Sequence, residues 1–129
     1  TEAEAYPGPS LIIAYAPWSN HGIKGGMGQT KLQQKRAVDA GYWNIYHFDP
    51  RRKARGENPF VLDSGRPEGD FEEFLMSEVR FASLKKKDPE LAEQMYNQAG
   101  REARERYERY AELARKAEKN SGETAGKEG

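Results

Sequence analysis

Apolar residues are concentrated at a few places along the chain, and their spacing changes from continuous runs to helical periodicity. Residues 10–16 (SLIIAYA) form an unbroken apolar run between Pro9 and Pro17. A run this short, with β-branched and aromatic members, predicts a buried strand of the kind covered on both faces in parallel sheets. Residues 18–28 (WSNHGIKGGMG) are rich in glycine and small polar residues and predict a loop. A helix is expected over about 31–40, with Thr30 able to cap its start and Gly41 where a left-handed C-terminal residue belongs. Residues 42–48 (YWNIYHF) return to strand character. Strand, glycine loop, helix and strand in this order predict a βαβ unit with a right-handed crossover.

The second half reads as helical. Residues 51–55 are basic and predict a solvated connection, residues 60–62 are too short to assign, and residues 65–69, with Pro67 and two glycines, break the chain. Asp70 and Glu73 make a capping-box-like start to a helix whose apolar face would be Phe71, Phe74, Leu75, Val79 and Ala82. Asp88 followed by Pro89 predicts an N-cap with proline at the first helical position, opening a helix to about Lys119. Leu91, Met95, Ala99, Ala103, Tyr107, Tyr110 and Ala114 would mark its buried side. Residues 120–129 are polar and glycine-rich and predict a disordered tail. The expected organisation is therefore an α/β unit over 1–87, a long charged helix over 88–119, and the tail.

Composition narrows the function classes. The 129 residues hold 36% hydrophobic and 33% charged residues, a wet composition that suits a core shared with a neighbour. The 21 basic and 21 acidic residues balance, so no net field favours nucleic acid or an anionic membrane. The longest apolar stretch is far short of the roughly 20 residues that span a bilayer, and residues 1–9 do not read as a signal peptide. A cytoplasmic location is the expectation. There is no cysteine, which removes disulfides, thiolate metal ligands and a cysteine nucleophile. An apolar strand placed so near a start without methionine suggests a chain cut from something longer.

Few residues carry candidate chemistry. The loop from His21 to Gly28 follows a strand and precedes a helix, where α/β sheets bind ligands and where helix N-termini favour anions. Neither standard phosphate pattern is present, because Lys24 precedes the glycine pair. A connector, or a surface contacting another domain, is the favoured reading. His21 and His47 are not spaced as metal ligands; His21 could contact a ligand, and His47 reads as packed or half-exposed. Ser10, Ser19 and Ser77 have no triad setting. Capping explains Asp70 and Glu73 better than acid–base work, and the charges of 101–119 read as a solvated face.

Longer phrases are more specific. SLIIAYAP, NHGIKGGMG, QQKRAVDAGYWNIYHFDP, ENPFVLDS, GDFEEFLMSEVRFASL and GREARERYERYAELA, in this order, resemble the C-terminal part of pyruvate:ferredoxin (flavodoxin) oxidoreductases. The resemblance runs from Tyr6 to Ala114. It implies an α/β, mostly parallel thiamine-diphosphate-binding fold, of which this chain would be a part, followed by C-terminal helices. It implies a parent enzyme that oxidatively decarboxylates pyruvate to acetyl-CoA with thiamine diphosphate, magnesium and [4Fe–4S] clusters. Ferredoxin or flavodoxin would accept the electrons, the remaining domains of the parent would be the partners of this segment, and the parent would be a homodimer. The family's GDG-type thiamine motif and its ferredoxin-like cysteines are not in these residues, so the isolated chain would be inactive. Where the family's A-P-C phrase supplies a ligand to the cluster nearest the thiamine, this chain has Ala16-Pro17-Trp18. The indole N–H is a donor only and cannot ligate iron. Trp18, Asn20, His21 and Lys24 would line that cluster pocket. Two rival readings are a stand-alone interaction module that kept the scaffold, and a small anion-binding domain using residues 22–28.

Overall fold

A computed structural model describes the backbone of residues 1–17 and 22–123, with side chains through residue 116. Its elements are α1 (Glu2–Ala5), a 3-10 turn (Met27–Gln29), α2 (Thr30–Asp39), β1 (Tyr46–Phe48), α3 (Arg51–Ala54), β2 (Phe60–Leu62), α4 (Phe71–Ser77), α5 (Val79–Lys87) and α6 (Pro89–Glu123). Helix dominates, and a small antiparallel sheet supplies the β component.

Most locally coded features fall where the sequence puts them. Gly41 takes φ +78° just beyond α2, and its amide donates to the Val38 carbonyl, closing the helix. The Asp70 carboxylate accepts the Glu73 amide at 2.8 Å, and that of Asp88 accepts the Leu91 amide at 3.1 Å, so both predicted N-caps form. Thr30 does not cap α2 as expected: Gln29 is the N-cap residue, and Thr30 is the first helical residue with its hydroxyl donating back to the Met27 carbonyl.

The predicted βαβ unit is not formed among the described residues. Residues 10–16 are irregular, and Leu11, Ile12 and Ile13 are 84%, 76% and 66% exposed. A central parallel strand needs a strand on each side, and the described residues offer it none. Strand character in 42–48 survives only in β1, which pairs antiparallel with β2, the segment too short to assign from sequence; His47 faces Val61 in the register. The basic stretch after β1 folds as α3, one exposed helical turn.

Two further expectations are corrected. The helix expected from Phe71 is two helices, because Glu78 is extended (φ −94°, ψ 129°) and ends α4 while starting α5. The buried side of α6 is also rotated in its first turns. Leu91 and Met95 are 45% and 50% exposed, whereas Ala92, Tyr96 and Ala103 are buried. Small residues win this face because close approach requires them: Ala92 packs in the cluster of Ala37, Ala40, Phe74, Leu75 and Tyr96. From Ala103 onward the expected stripe holds, and the Tyr110 ring packs at a tilt against Tyr46 and Phe60, with ring separations of 5.0 and 6.0 Å. That contact seats the hairpin on α6. Asn58 strengthens it by donating to the Leu113 and Ala114 carbonyls.

Candidate functional site

Tyr42 lies at the centre of an aromatic group, with the rings of Tyr15, Phe71, Phe74 and Phe81 between 5.0 and 6.3 Å away. Beside it, Glu78 is 2% exposed. A buried carboxylate is costly unless its oxygens are partnered. One oxygen accepts the Tyr15 hydroxyl at 2.5 Å and the other accepts Arg80 Nε at 2.8 Å. Arg80 also donates to the Tyr42 hydroxyl at 3.0 Å and lies over the Phe81 ring, 4.5 Å from its centroid. Burial first, and then the hydrogen bond to Glu78 and its charge, hold the Tyr15 phenol above its ordinary range.

The glycine loop is fastened to the same place. Ile23 forms an antiparallel bridge with Glu78, flanked by Lys24 N donating to the Ser77 carbonyl at 3.0 Å and Val79 N donating to the Gly22 carbonyl at 3.3 Å. The extended conformation of Glu78 makes this bridge possible. Helix α2 adds two side chains: Gln33 donates to Ser77 Oγ at 2.7 Å, and Gln34 donates to the Tyr15 carbonyl at 3.2 Å. Gln33 is itself buried.

Of the residues expected to line a cofactor pocket, Lys24 is exposed on this loop, with its backbone held by Ser77. Trp18, Asn20 and His21 lie outside the described residues. His47 is half-buried on the hairpin and lies 2.8 Å from an Asp63 carboxylate oxygen. Ser77 spends its hydroxyl on the Phe74 carbonyl, consistent with a structural role. Among the described residues, no group of three or more His, Cys, Asp or Glu is placed to hold a metal ion, and no helix is long and apolar enough to cross a membrane. A cleft of about 380 Å³ between Gly41, Pro67, Asp70, Tyr96, Asn97 and Arg104 shares no lining residue with the loop.

Sequence reasoning missed Glu78, Arg80, Tyr15 and Tyr42 as a group. The available signal was a glutamate at helical spacing from Phe74, Leu75 and Ala82, on the buried side of a predicted helix, a position that a charge does not occupy without a partner.

No family model matches the chain. Among curated proteins it is 56% identical over 113 residues to a pyruvate-flavodoxin oxidoreductase of Enterobacter agglomerans, covering 88% of this chain and 10% of the relative. It is 50% identical over 103 residues to the pyruvate:ferredoxin oxidoreductase of Moorella thermoacetica, covering 80% of this chain and 9% of that protein. It is also 44% identical over 97 residues to the mitochondrial pyruvate dehydrogenase [NADP(+)] of Euglena gracilis, covering 75% and 5%. The chain spans about a tenth of the length of the first two and less of the third. Most of this sequence is therefore homologous to one fragment of the pyruvate-flavodoxin and pyruvate:ferredoxin oxidoreductases.

Proposed function

We propose that this chain is the C-terminal part of the thiamine-diphosphate-binding domain of a pyruvate:ferredoxin or pyruvate:flavodoxin oxidoreductase, and that its glycine loop lies beside the cluster nearest the thiamine. The observation that carries this reading is 56% identity over 113 residues to such an enzyme. The exposed Leu11–Ile13 run supports it, since those side chains suit a strand flanked by neighbours from the rest of the domain. The enzyme would decarboxylate pyruvate oxidatively to acetyl-CoA and pass electrons to ferredoxin or flavodoxin. Thiamine diphosphate and magnesium would be held by other parts of it.

The residues present do not fit an iron-ligand role. The chain has no cysteine, and Trp18 stands where the resemblance expects one. A cluster held in the usual way needs four thiolates, and an indole N–H cannot replace one. The part assigned to this segment is therefore to shape the pocket, with Trp18, Asn20, His21 and Lys24 as lining, and to contribute no ligand.

The test is a chimera in which this segment replaces the matching fragment of a complete relative. A folded chimera that lacks the proximal cluster, or retains a three-iron remnant, with Trp18→Cys restoring it, is the expected result by iron counting and low-temperature EPR. An intact four-iron proximal cluster with Trp18 in place overturns the ligand-loss reading. A chimera that fails to assemble with or without Trp18→Cys overturns the assignment of the segment.

A further inference from the structure

Among the described residues, Tyr15 alone donates its phenol to a carboxylate, that of the buried Glu78, at 2.5 Å. The other tyrosines of the core are placed differently. Tyr96 donates to the Phe81 carbonyl, and the Tyr42 oxygen accepts Arg80 at 3.0 Å. The ring of Trp43 lies 5.9 Å from that of Tyr15 with 30° between their planes, a separation typical of packed aromatic pairs. Both of these side chains are half-buried.

A phenol gives up an electron readily only when its proton can leave at the same time, because the phenol radical cation is a very strong acid and costly to form. An ionised carboxylate can take that proton, whereas a guanidinium has no acceptor. At hydrogen-bond distance the transfer needs no rearrangement of either side chain. Glu78 also accepts Arg80 on its other oxygen at 2.8 Å, so it stays held once it is protonated. Tyr42, 5.6 Å from Tyr15, has the Arg80 cation at its oxygen, and that charge opposes the loss of an electron there.

We propose that Tyr15 is a redox-active tyrosine that reduces an oxidised Trp43, with Glu78 as its proton acceptor. The primary oxidant is a one-electron oxidant of the radical class, which takes an electron from the half-buried indole. The indole radical cation then takes one electron from Tyr15. The Tyr15 O–H bond breaks and an O–H bond forms on Glu78. The products are neutral Trp43, a Tyr15 phenoxyl radical and a protonated Glu78, and the positive charge of the indole cancels the negative charge of the carboxylate. This chemistry uses contacts of this chain alone and stands whether or not the segment serves the enzyme proposed above.

The test is pulse radiolysis of the full chain with the azide radical, which oxidises indole first. A Trp18→Phe background leaves Trp43 as the remaining one of the two tryptophans. Decay of the indole radical and growth of the phenoxyl radical are followed by their optical bands, and the phenoxyl is identified by EPR. A transfer that is independent of protein concentration and slower in deuterium oxide is expected. Tyr15→Phe is expected to abolish this phase. Glu78→Gln keeps a hydrogen-bond acceptor without a base, and is expected to slow the phase at least about tenfold with helical circular dichroism unchanged. A phase that survives Tyr15→Phe overturns the proposal, as does an equal rate in Glu78→Gln or a lack of any phenoxyl. Should Glu78→Gln fail to fold, Tyr15→Phe and the deuterium effect decide, and a rate unchanged in deuterium oxide overturns the role of Glu78.

Discussion

The Tyr15 phenol illustrates how one residue reports on its surroundings. Its folded-state pKa is raised by burial and by Glu78, so its contribution to stability is fully present below the unfolded value of about 10 and is lost as pH rises through the higher folded value. In an alkaline titration followed by tyrosinate absorbance, Tyr15 is expected to be the last of the seven tyrosines to ionise, together with loss of helical circular dichroism. Glu78→Gln removes the charge and is expected to bring that step earlier; an unchanged titration would count against the Tyr15–Glu78 bond. Gly41 gives a second residue-scale case. At φ +78° an added Cβ would lie 2.9 Å from Pro67 Cγ, whereas at Gly56, with φ +74°, nothing lies within 4 Å of the same addition. Gly41→Ala should therefore lower stability by more than about 1 kcal/mol, and by clearly more than Gly56→Ala, in paired denaturant titrations.

At the scale of elements, the dividing line is between local and distant causes. The ends of α2, α4 and α6 were legible because Gly41, Asp70 and Asp88 act on backbone groups within four residues of themselves. Asp70→Ala is accordingly expected to cost about 1 kcal/mol, read as a lowered thermal midpoint. Distant causes were not legible. The apolar run 10–16 has the composition of a buried strand, yet a strand exists only with a pairing partner, and pairing is set by other segments. The division between α4 and α5 follows from the bridge of Glu78 to Ile23, which lies 55 residues earlier. The face of α6 was misplaced because large apolar residues, Leu91 and Met95, were weighted above the alanine and glycine positions where backbones approach. The candidate site divides in the same way: the loop and Lys24 were legible as composition, and the residues that hold the loop were not.

For the whole molecule, the buried core is small and is built largely of alanine and aromatic side chains, while Leu11, Ile12 and Ile13 stay in water. Helix α6 is well beyond the roughly 12–15 residues at which isolated helices become viable. The expected thermal behaviour is a strong helical signal that melts over a broad range, with Phe74→Ala or Leu75→Ala abolishing what cooperativity there is, since such core truncations cost about 2–5 kcal/mol. A sharp two-state melt with a matching near-ultraviolet transition would favour a self-sufficient interaction module over a segment of a larger enzyme.

Glu78 fixes the chain at Tyr15 and again at Ile23, two points eight positions apart. Lengthening a closed stretch is thermodynamically mild, with each doubling costing only about 0.6 kcal/mol. Residues added between the two anchors are therefore expected to leave α4, α5 and the aromatic core in place. In protein-engineering terms this is a cassette: new side chains, or a few extra residues carrying a designed ligand set, can be inserted between two fixed posts and screened there with the scaffold held constant.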